Sequence, residues 1–149
     1  HYFLIGISSM NKLLTLMFAL FLTGTAQAVE VNFGDPIDVQ LNISSITMSA
    51  TGMVITYEGS SGTYGLIHAT HNMTATKEDN TKGYFTGTVQ AIRDNGTMEQ
   101  VTTVGLWKRQ GRQLRVYGFD DDDAARILHI SDVNLQTKKF EAKVWELDK

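Results

Sequence analysis

The chain contains no cysteine and only one proline among its 149 residues. The absence of cysteine excludes disulfides, zinc–thiolate sites, thiol nucleophiles and redox motifs, so the core alone must supply the stability. An excess of charge of one sign is also lacking, because 13 lysines and arginines stand against 16 aspartates and glutamates. A nucleic-acid or anionic-membrane partner requires a basic face, so this balance argues against both.

No apolar run in the chain reaches the length of about 20 residues that a helix needs to cross a bilayer. The most apolar segment, residues 13–22, follows Met10-Asn11-Lys12 and precedes Ala26-Gln27-Ala28. A charged n-region, a short apolar h-region and a small-x-small cleavage site are the three parts of a secretory signal peptide. We therefore predict that residues 10–28 are a bacterial-type signal peptide, and that the soluble product is periplasmic or extracellular without a stable membrane anchor.

Cleavage after this segment divides the chain into three parts. Residues 1–9 precede the first methionine, and we interpret them as an over-extended reading frame or as non-native residues outside the fold. Removal of residues 10–28 takes Lys12 with it and lowers the net charge from −3 to −4. The remaining residues, 29–149, fit a single domain that can bury roughly two thirds of its unfolded surface.

Residues 29–149 lack any long segment with apolar residues at helical spacing. Runs rich in Val, Ile, Thr, Tyr and Phe alternate with turn residues at short spacing, which is typical of an antiparallel sandwich or barrel. Short loops leave no room for crossover helices, so neighbouring strands should pair as a meander. Strands are predicted at residues 30–33, 37–43, 47–50, 53–58, 63–76, 83–93, 98–108, 112–119, 126–132 and 139–147.

Closure of such a meander would remove the exposed edges that invite aggregation. We predict an all-β fold, a small calycin-like β-barrel of about eight strands, with a β-sandwich as the alternative. The Gly/Thr-rich strands resemble those of small exported barrels of the calycin and allene-oxide-cyclase kind. Gly62-Thr63-Tyr64 is similar to a segment of avidin-like barrels, and Gly105-Leu106-Trp107 matches the lipocalin Gly-x-Trp pattern, although lipocalins carry theirs on the first strand. The resemblance implies an architecture and leaves the function open.

Two tight turns predict the register of three strands. Asn95-Gly96 is a type I′ signal that would pair Phe85 with Leu106. A three-residue loop at Arg109-Gln110-Gly111 would then pair Leu106 with Leu114. The resulting buried aliphatic face contains Phe85, Val89, Ala91, Val104, Leu106, Leu114 and Val116. A three-residue loop at Asp94-Asn95-Gly96 would instead reverse the alternation and mix both faces.

The opposite, mixed face of these strands supplies the candidate ligand-binding residues, which are Tyr84, Trp107, Arg115 and Tyr117. Their aromatic rings offer contact area with a polar handle, and Arg115 offers a charged anchor. We predict that this face binds a small apolar or aromatic molecule. The alternative is that it is an ordinary exposed sheet face with cross-strand aromatic pairs.

Few residues indicate catalysis or metal binding. His68 and His71 lie three apart, which sends them to opposite faces of a strand, although one of them could join His129 across the sheet to ligate a metal. The run 120–123 consists of four aspartates without EF-hand spacing, and it is predicted to be a solvated connection, with calcium ligation as the alternative. A Gly-x-Ser-x-Gly elbow and a readable acid–base pair are both absent.

These observations favour a non-enzymatic binding module with no metal and no cofactor. The alternatives are a barrel enzyme of the cyclase or isomerase type, which needs few titrating residues, and a structural envelope protein without a ligand. The sequence leaves the oligomeric state open.

Export generates the first testable prediction. The processed protein should begin at Val29 and be recovered outside the cytoplasm, because residues 10–28 carry all three parts of an export signal. N-terminal sequencing of the product recovered from the periplasm or the medium checks this. A cytoplasmic or membrane-embedded product that starts at Met10 would contradict it.

Overall fold

Eight antiparallel strands form a closed barrel in the computed structural model, which describes residues 33–123 and 125–147. The strands follow one another around the wall, and β8 pairs with β1 to complete the circle. They are β1 (Ile37–Ser49), β2 (Gly52–Ser61), β3 (Gly65–Ala75), β4 (Lys82–Ile92), β5 (Met98–Gln110), β6 (Gln113–Asp121), β7 (Arg126–Asn134) and β8 (Lys139–Glu146). The predicted all-β meander closing into a barrel is therefore confirmed, while the calycin likeness stays a prediction.

Several expectations fall on other parts of the chain or need correction. The predicted signal peptide, its cleavage site, residues 1–9 and nearly all of the predicted strand 30–33 lie outside the described residues. The two strands predicted at 37–43 and 47–50 are one strand, β1, whose pairing with β2 shifts between Ile43 and Ser45. In the part of the chain that the structure describes, no helix is long and apolar enough to cross a membrane.

Each strand alternates inward and outward side chains, as the period-two geometry of a strand requires. The two halves of the barrel interior are filled differently. The half near the β1–β2, β3–β4 and β5–β6 hairpins, here called the packed end, holds large buried side chains that include Met53, Met73, Phe85, Trp107 and Leu114. The other half, here called the open end, is lined by smaller side chains such as Ala69 and Ala142.

The predicted register of β4, β5 and β6 is wrong because both turns differ by one residue from the predicted length. The β4–β5 connection is the three-residue loop Asp94-Asn95-Gly96. The Arg93 amide closes it by donating a hydrogen bond to the Thr97 carbonyl (2.9 Å). The Asn95 side chain accepts a hydrogen bond from the Thr97 amide (2.9 Å), and Gly96 adopts a φ of 83°. This Asx geometry with a left-handed glycine favours the longer loop.

The β5–β6 connection is a two-residue loop, since Gln110 pairs with Gln113. Gly111 stands at its first position with a φ of 60°, the pattern of a type II′ turn. Phe85 is consequently opposite Gly105, and Leu106 is opposite Tyr117.

The change of register moves residues between the two faces. Val104 and Leu106, which were predicted to be buried, lie outside and are 45% and 63% exposed. Trp107, which was assigned to the mixed face, is buried inside, and so is Thr103 on the same strand. Phe85 fits inside because its ring lies over Gly105, where a Cβ would stand 2.7 Å from the Phe85 Cε1.

The assignment of faces predicts a contrast between two leucines. Leu114→Ala should lower the free energy of unfolding by about 2–5 kcal/mol, because Leu114 is fully buried at the packed end. Leu66→Ala, at an outward position of β3, should cost about 0.5 kcal/mol or less. Denaturant melts of both variants measure the difference, and equal losses would contradict the assignment.

Candidate functional site

A cavity of about 100 Å³ occupies the open end of the barrel. It exists because inward positions there carry alanines and valines where the packed end carries aromatic rings and methionines. Its wall is formed mostly by apolar side chains from six strands, namely Val39, Leu41, Ile67, Ala69, Val89, Ala91, Val101, Ile127, Phe140, Ala142 and Val144. The ionisable side chains in the lining are His71, Asp120 and His129 in the interior, together with Tyr64, Arg93, Glu99 and Asp122.

His71 lies in the middle of β3 among aromatic rings. Its ring centroid is 4.9 Å from that of Tyr57 and 4.4 Å from that of Phe85. Within the described residues, its Nδ1 has no hydrogen-bond partner. Burial, and to a smaller extent the charge of His129, lowers the pKa of His71 from 6.5 to about 3. The imidazole is therefore neutral at physiological pH.

His129, on β7, is held by its neighbours on both ring nitrogens. Nδ1 lies 3.0 Å from the Ser131 hydroxyl, and Nε2 lies 3.4 Å from the Thr103 hydroxyl. The ring crosses over Gly118 on β6, where a Cβ would stand only 2.1 Å from Nε2. A side chain at position 118 would therefore displace the imidazole from this position.

Asp120, the last inward residue of β6, brings a carboxylate close to this imidazole. Its Oδ1 lies 3.5 Å from Nε2 of His129 and accepts no hydrogen bond within the described part of the chain. Burial raises the pKa of Asp120, while His129 and a hydrogen bond with Thr103 oppose the rise. Burial likewise lowers the pKa of His129, against the attraction of Asp120. Because both shifts favour the uncharged forms, the pair can hold one proton between two nearly dry groups.

Ser131, His129 and Asp120 have the residue types of a hydrolytic triad but not its function. The Ser131 side chain is fully buried and does not line the cavity, so no substrate in the cavity meets its hydroxyl. Its contact fixes the orientation of the His129 ring. In residues 33–123 and 125–147, no group of three or more His, Asp or Glu side chains is placed to hold a metal ion.

Polar side chains frame the mouth of the cavity. Arg93 donates to Glu99 Oε2 at 2.6 Å and to the Thr63 carbonyl at 2.7 Å, and its guanidinium lies 5.6 Å from the Tyr64 ring centroid. The Tyr64 hydroxyl donates to Glu146 Oε1 at 3.0 Å. These contacts connect the β2–β3 and β4–β5 loops with the end of β8, and they order the rim around an apolar interior.

The four predicted ligand-binding residues do not share one surface. Trp107 is buried at the packed end, where its Nε1 donates to the Tyr84 carbonyl at 3.0 Å. Tyr84, Arg115 and Tyr117 point outward, and Arg115 forms a salt bridge with Asp132. The reason is that the observed register of β4, β5 and β6 differs from the predicted one. Trp107 on β5 therefore points inward, whereas the other three residues, on β4 and β6, point outward. Ligand contact by any of the four stays a prediction.

Part of the interior cluster could be predicted from the sequence. His68 and His71 do lie on opposite faces, and His71 does approach His129, with ring centroids 6.1 Å apart. Asp120 was missed because its run of aspartates was interpreted as a connection. The signal was present in the alternation Leu114, Val116, Gly118, Asp120, since residues two apart on a strand share a face.

His71 makes the stability of the protein pH-dependent. Its folded-state pKa lies below its unfolded value of 6.5, so only the unfolded chain takes up this proton as the pH falls. The contribution of His71 to the free energy of unfolding is fully present above pH 6.5. It should decline by about 2 kcal/mol between pH 7 and pH 5. His71→Phe, which keeps a ring between Tyr57 and Phe85, should remove that decline.

Urea melts across this pH range measure the effect. His68→Phe is the matched control for the substitution itself, because His68 is exposed on the same strand. His129 and Asp120 remain in both variants. An identical slope for His71→Phe and for the wild type would show that His71 does not carry this dependence.

Comparison of the chain with protein-family models, with curated proteins and with solved structures found no match.

Proposed function

We propose that this barrel is an exported binding protein that holds one small apolar or aromatic molecule in its interior cavity. The observation that carries the proposal is an apolar cavity, open at one end, whose wall is interrupted by only a few convergent polar groups. That combination is characteristic of small-molecule sites. A fold that needed only stability would have filled the open end as it filled the other, because an empty apolar cavity costs free energy.

The cavity limits the size and polarity of the molecule. A cavity of about 100 Å³ corresponds to a ligand of about one ring, since an apolar cavity of roughly 150 Å³ takes up benzene. Ala69 and Ala142 would contact the apolar body of the ligand. Asp120 and His129 would face its single polar group, for example a hydroxyl, because one of the pair can donate while the other accepts.

Export to the periplasm or the medium is the second part of the proposal. It rests on the signal-like sequence of residues 10–28, which lie outside the described residues. A chain without cysteine that is stabilised by a closed sheet is compatible with an oxidising compartment, because it has no thiol to protect.

A proton-transfer enzyme of the isomerase type is the second candidate. The observation that favours it is the pairing of Asp120 with His129, whose pKa values are shifted by burial in opposite directions. Titratable pairs of this kind are common at catalytic sites. The two candidates share one cavity and differ in whether the bound molecule leaves unchanged.

Ligand binding is tested with one-ring probes: phenol, p-cresol, benzyl alcohol, indole and cyclohexenone. We expect at least one to bind at a single site by isothermal titration calorimetry. Ala69→Leu should weaken this binding about tenfold or more, because the added side chain fills the cavity. His68→Leu is the matched control, since the neighbouring residue points outward, and it should leave the affinity unchanged.

The outcomes separate the proposals. Absence of binding by every probe, or binding that Ala69→Leu leaves intact, would contradict a cavity site. Proton NMR of the bound probe, followed over hours, distinguishes the two candidate functions. An unchanged spectrum supports a binding protein, whereas new probe resonances that disappear in Asp120→Asn support the enzyme.

A further inference from the structure

The outer wall of the barrel carries two adjacent rows of apolar side chains, here called the outer patch. Residues of one row are direct cross-strand partners, so their side chains stand next to one another. The first row, running from β4 to β7, is Tyr84, Leu106, Tyr117 and Ile130. The second row, running from β5 to β8, is Val104, Phe119, Leu128 and Trp145.

The outer patch is too concentrated to be ordinary surface scatter. Half of the ten large hydrophobic side chains that are exposed in the described part of the chain belong to it, with Leu106 at 63% and Phe119 at 52% exposure. Its exposed aromatic surface alone comes to about 280 Å², taking roughly 200 Å² for each ring residue. The largest apolar patch on a typical soluble monomer measures about 300–600 Å² and is often functional, and the outer patch is of that order.

A row of charged side chains borders the outer patch on the side of the packed end. It is divided in the middle: Lys82, Lys108 and Arg115 on β4, β5 and β6 are followed by Asp132 and Glu141 on β7 and β8. The sign of the charge therefore changes between β6 and β7. The same line divides the second row in its middle, between Phe119 and Leu128, and crosses the first row between Tyr117 and Ile130, beyond which Lys143 continues that row on β8.

We propose that the outer patch binds a second copy of this chain, in a dimer whose two-fold axis runs along the strand direction between β6 and β7. Such an axis exchanges the two halves of the charged row. Lys108 then faces the partner subunit's Glu141, and Arg115 faces the partner subunit's Asp132. At the centre, Tyr117 then faces the partner subunit's Ile130 and Phe119 faces the partner subunit's Leu128, while Leu106 lies opposite the partner subunit's Lys143.

The chemistry of the surface favours this partner over others. An anionic lipid surface would meet Asp132 and Glu141 with repulsion, whereas a row that is half basic and half acidic is complementary to its own two-fold image. An apolar centre with a charged rim is also the usual anatomy of a stable interface. Such an interface needs about 800 Å² from each partner, so the charged row and the residues around the outer patch would have to take part in it.

Sedimentation velocity of the purified protein, in the form recovered from the cell, tests for the dimer over a range of concentrations. The wild type should sediment at twice the chain mass at high concentration and dissociate on dilution. Phe119→Lys should weaken association about 30-fold or more, because it places a charge at the apolar centre. Met98→Lys, at an equally exposed position outside the patch, is the matched control and should associate like the wild type.

A charge exchange tests the position of the axis. Lys108 and Glu141 are three strands apart in one chain, about 14 Å around the wall, so their direct interaction within one subunit is weak. Lys108→Glu and Glu141→Lys should each weaken the dimer about tenfold. The double variant restores opposite charges across the proposed axis and should recover near wild-type association.

Three results would overturn the inference. They are a wild type that stays monomeric at every concentration, a dimer that Phe119→Lys leaves unchanged, and a double charge variant that is weaker than both single variants. Circular dichroism melts of each variant keep a loss of association distinct from a loss of folding. The substituted side chains are all outward, so the barrel should fold in each.

Discussion

Closure of the sheet through the pairing of β8 with β1 is the constraint on which the rest of this molecule depends. It divides every strand into an inward and an outward set and leaves no free edge. It also fixes the width of the interior, which for about eight strands is just enough for side chains to fill. Where Trp107 and Phe85 point inward the barrel is solid, and where Ala69 and Ala142 do so a cavity remains. The cavity thus results from residue size in a closed ring.

The polar groups inside the barrel lower the free energy of unfolding, so their presence there indicates a role other than stability. Burying an ionisable group in an apolar interior costs free energy unless it is neutralised or paired. His71 is neutral at physiological pH, and Asp120 is next to His129, yet Nδ1 of His71 and Oδ1 of Asp120 have no hydrogen-bond partner in the described residues. Residues that break the rules of a stable core without local compensation are expected at functional sites. The unpaired polar atoms of His71 and Asp120 therefore support the proposed ligand site.

The sequence predicted the strands and their closure well, because period-two alternation and turn residues are local signals. It failed at the register, which depends on a difference of one residue in each of two turns. The criterion that chose between the registers was the gathering of aliphatic residues on one face. That criterion misled because Val104 and Leu106 belong to an apolar outer surface, while Thr103 and Gly105 belong to the interior. The proximity of Asp120 to His129 required the correct pairing of β6 with β7, which no local pattern specifies.

The same two strands carry the main features of both faces. On β6, Asp120 points into the cavity and its neighbour Phe119 points out to the patch, and on β7 His129 lies between the outward Leu128 and Ile130. In the proposed dimer, the wall that holds the buried pair would be supported from outside by the partner subunit. Because adjacent residues of a strand share one backbone, a contact that orders Phe119 and Leu128 also limits the movement of Asp120 and His129. Association and ligand binding would then be thermodynamically linked, each strengthening the other by the same factor. That linkage would give a physical reason for an apolar outer surface on the two strands that carry Asp120 and His129 inside.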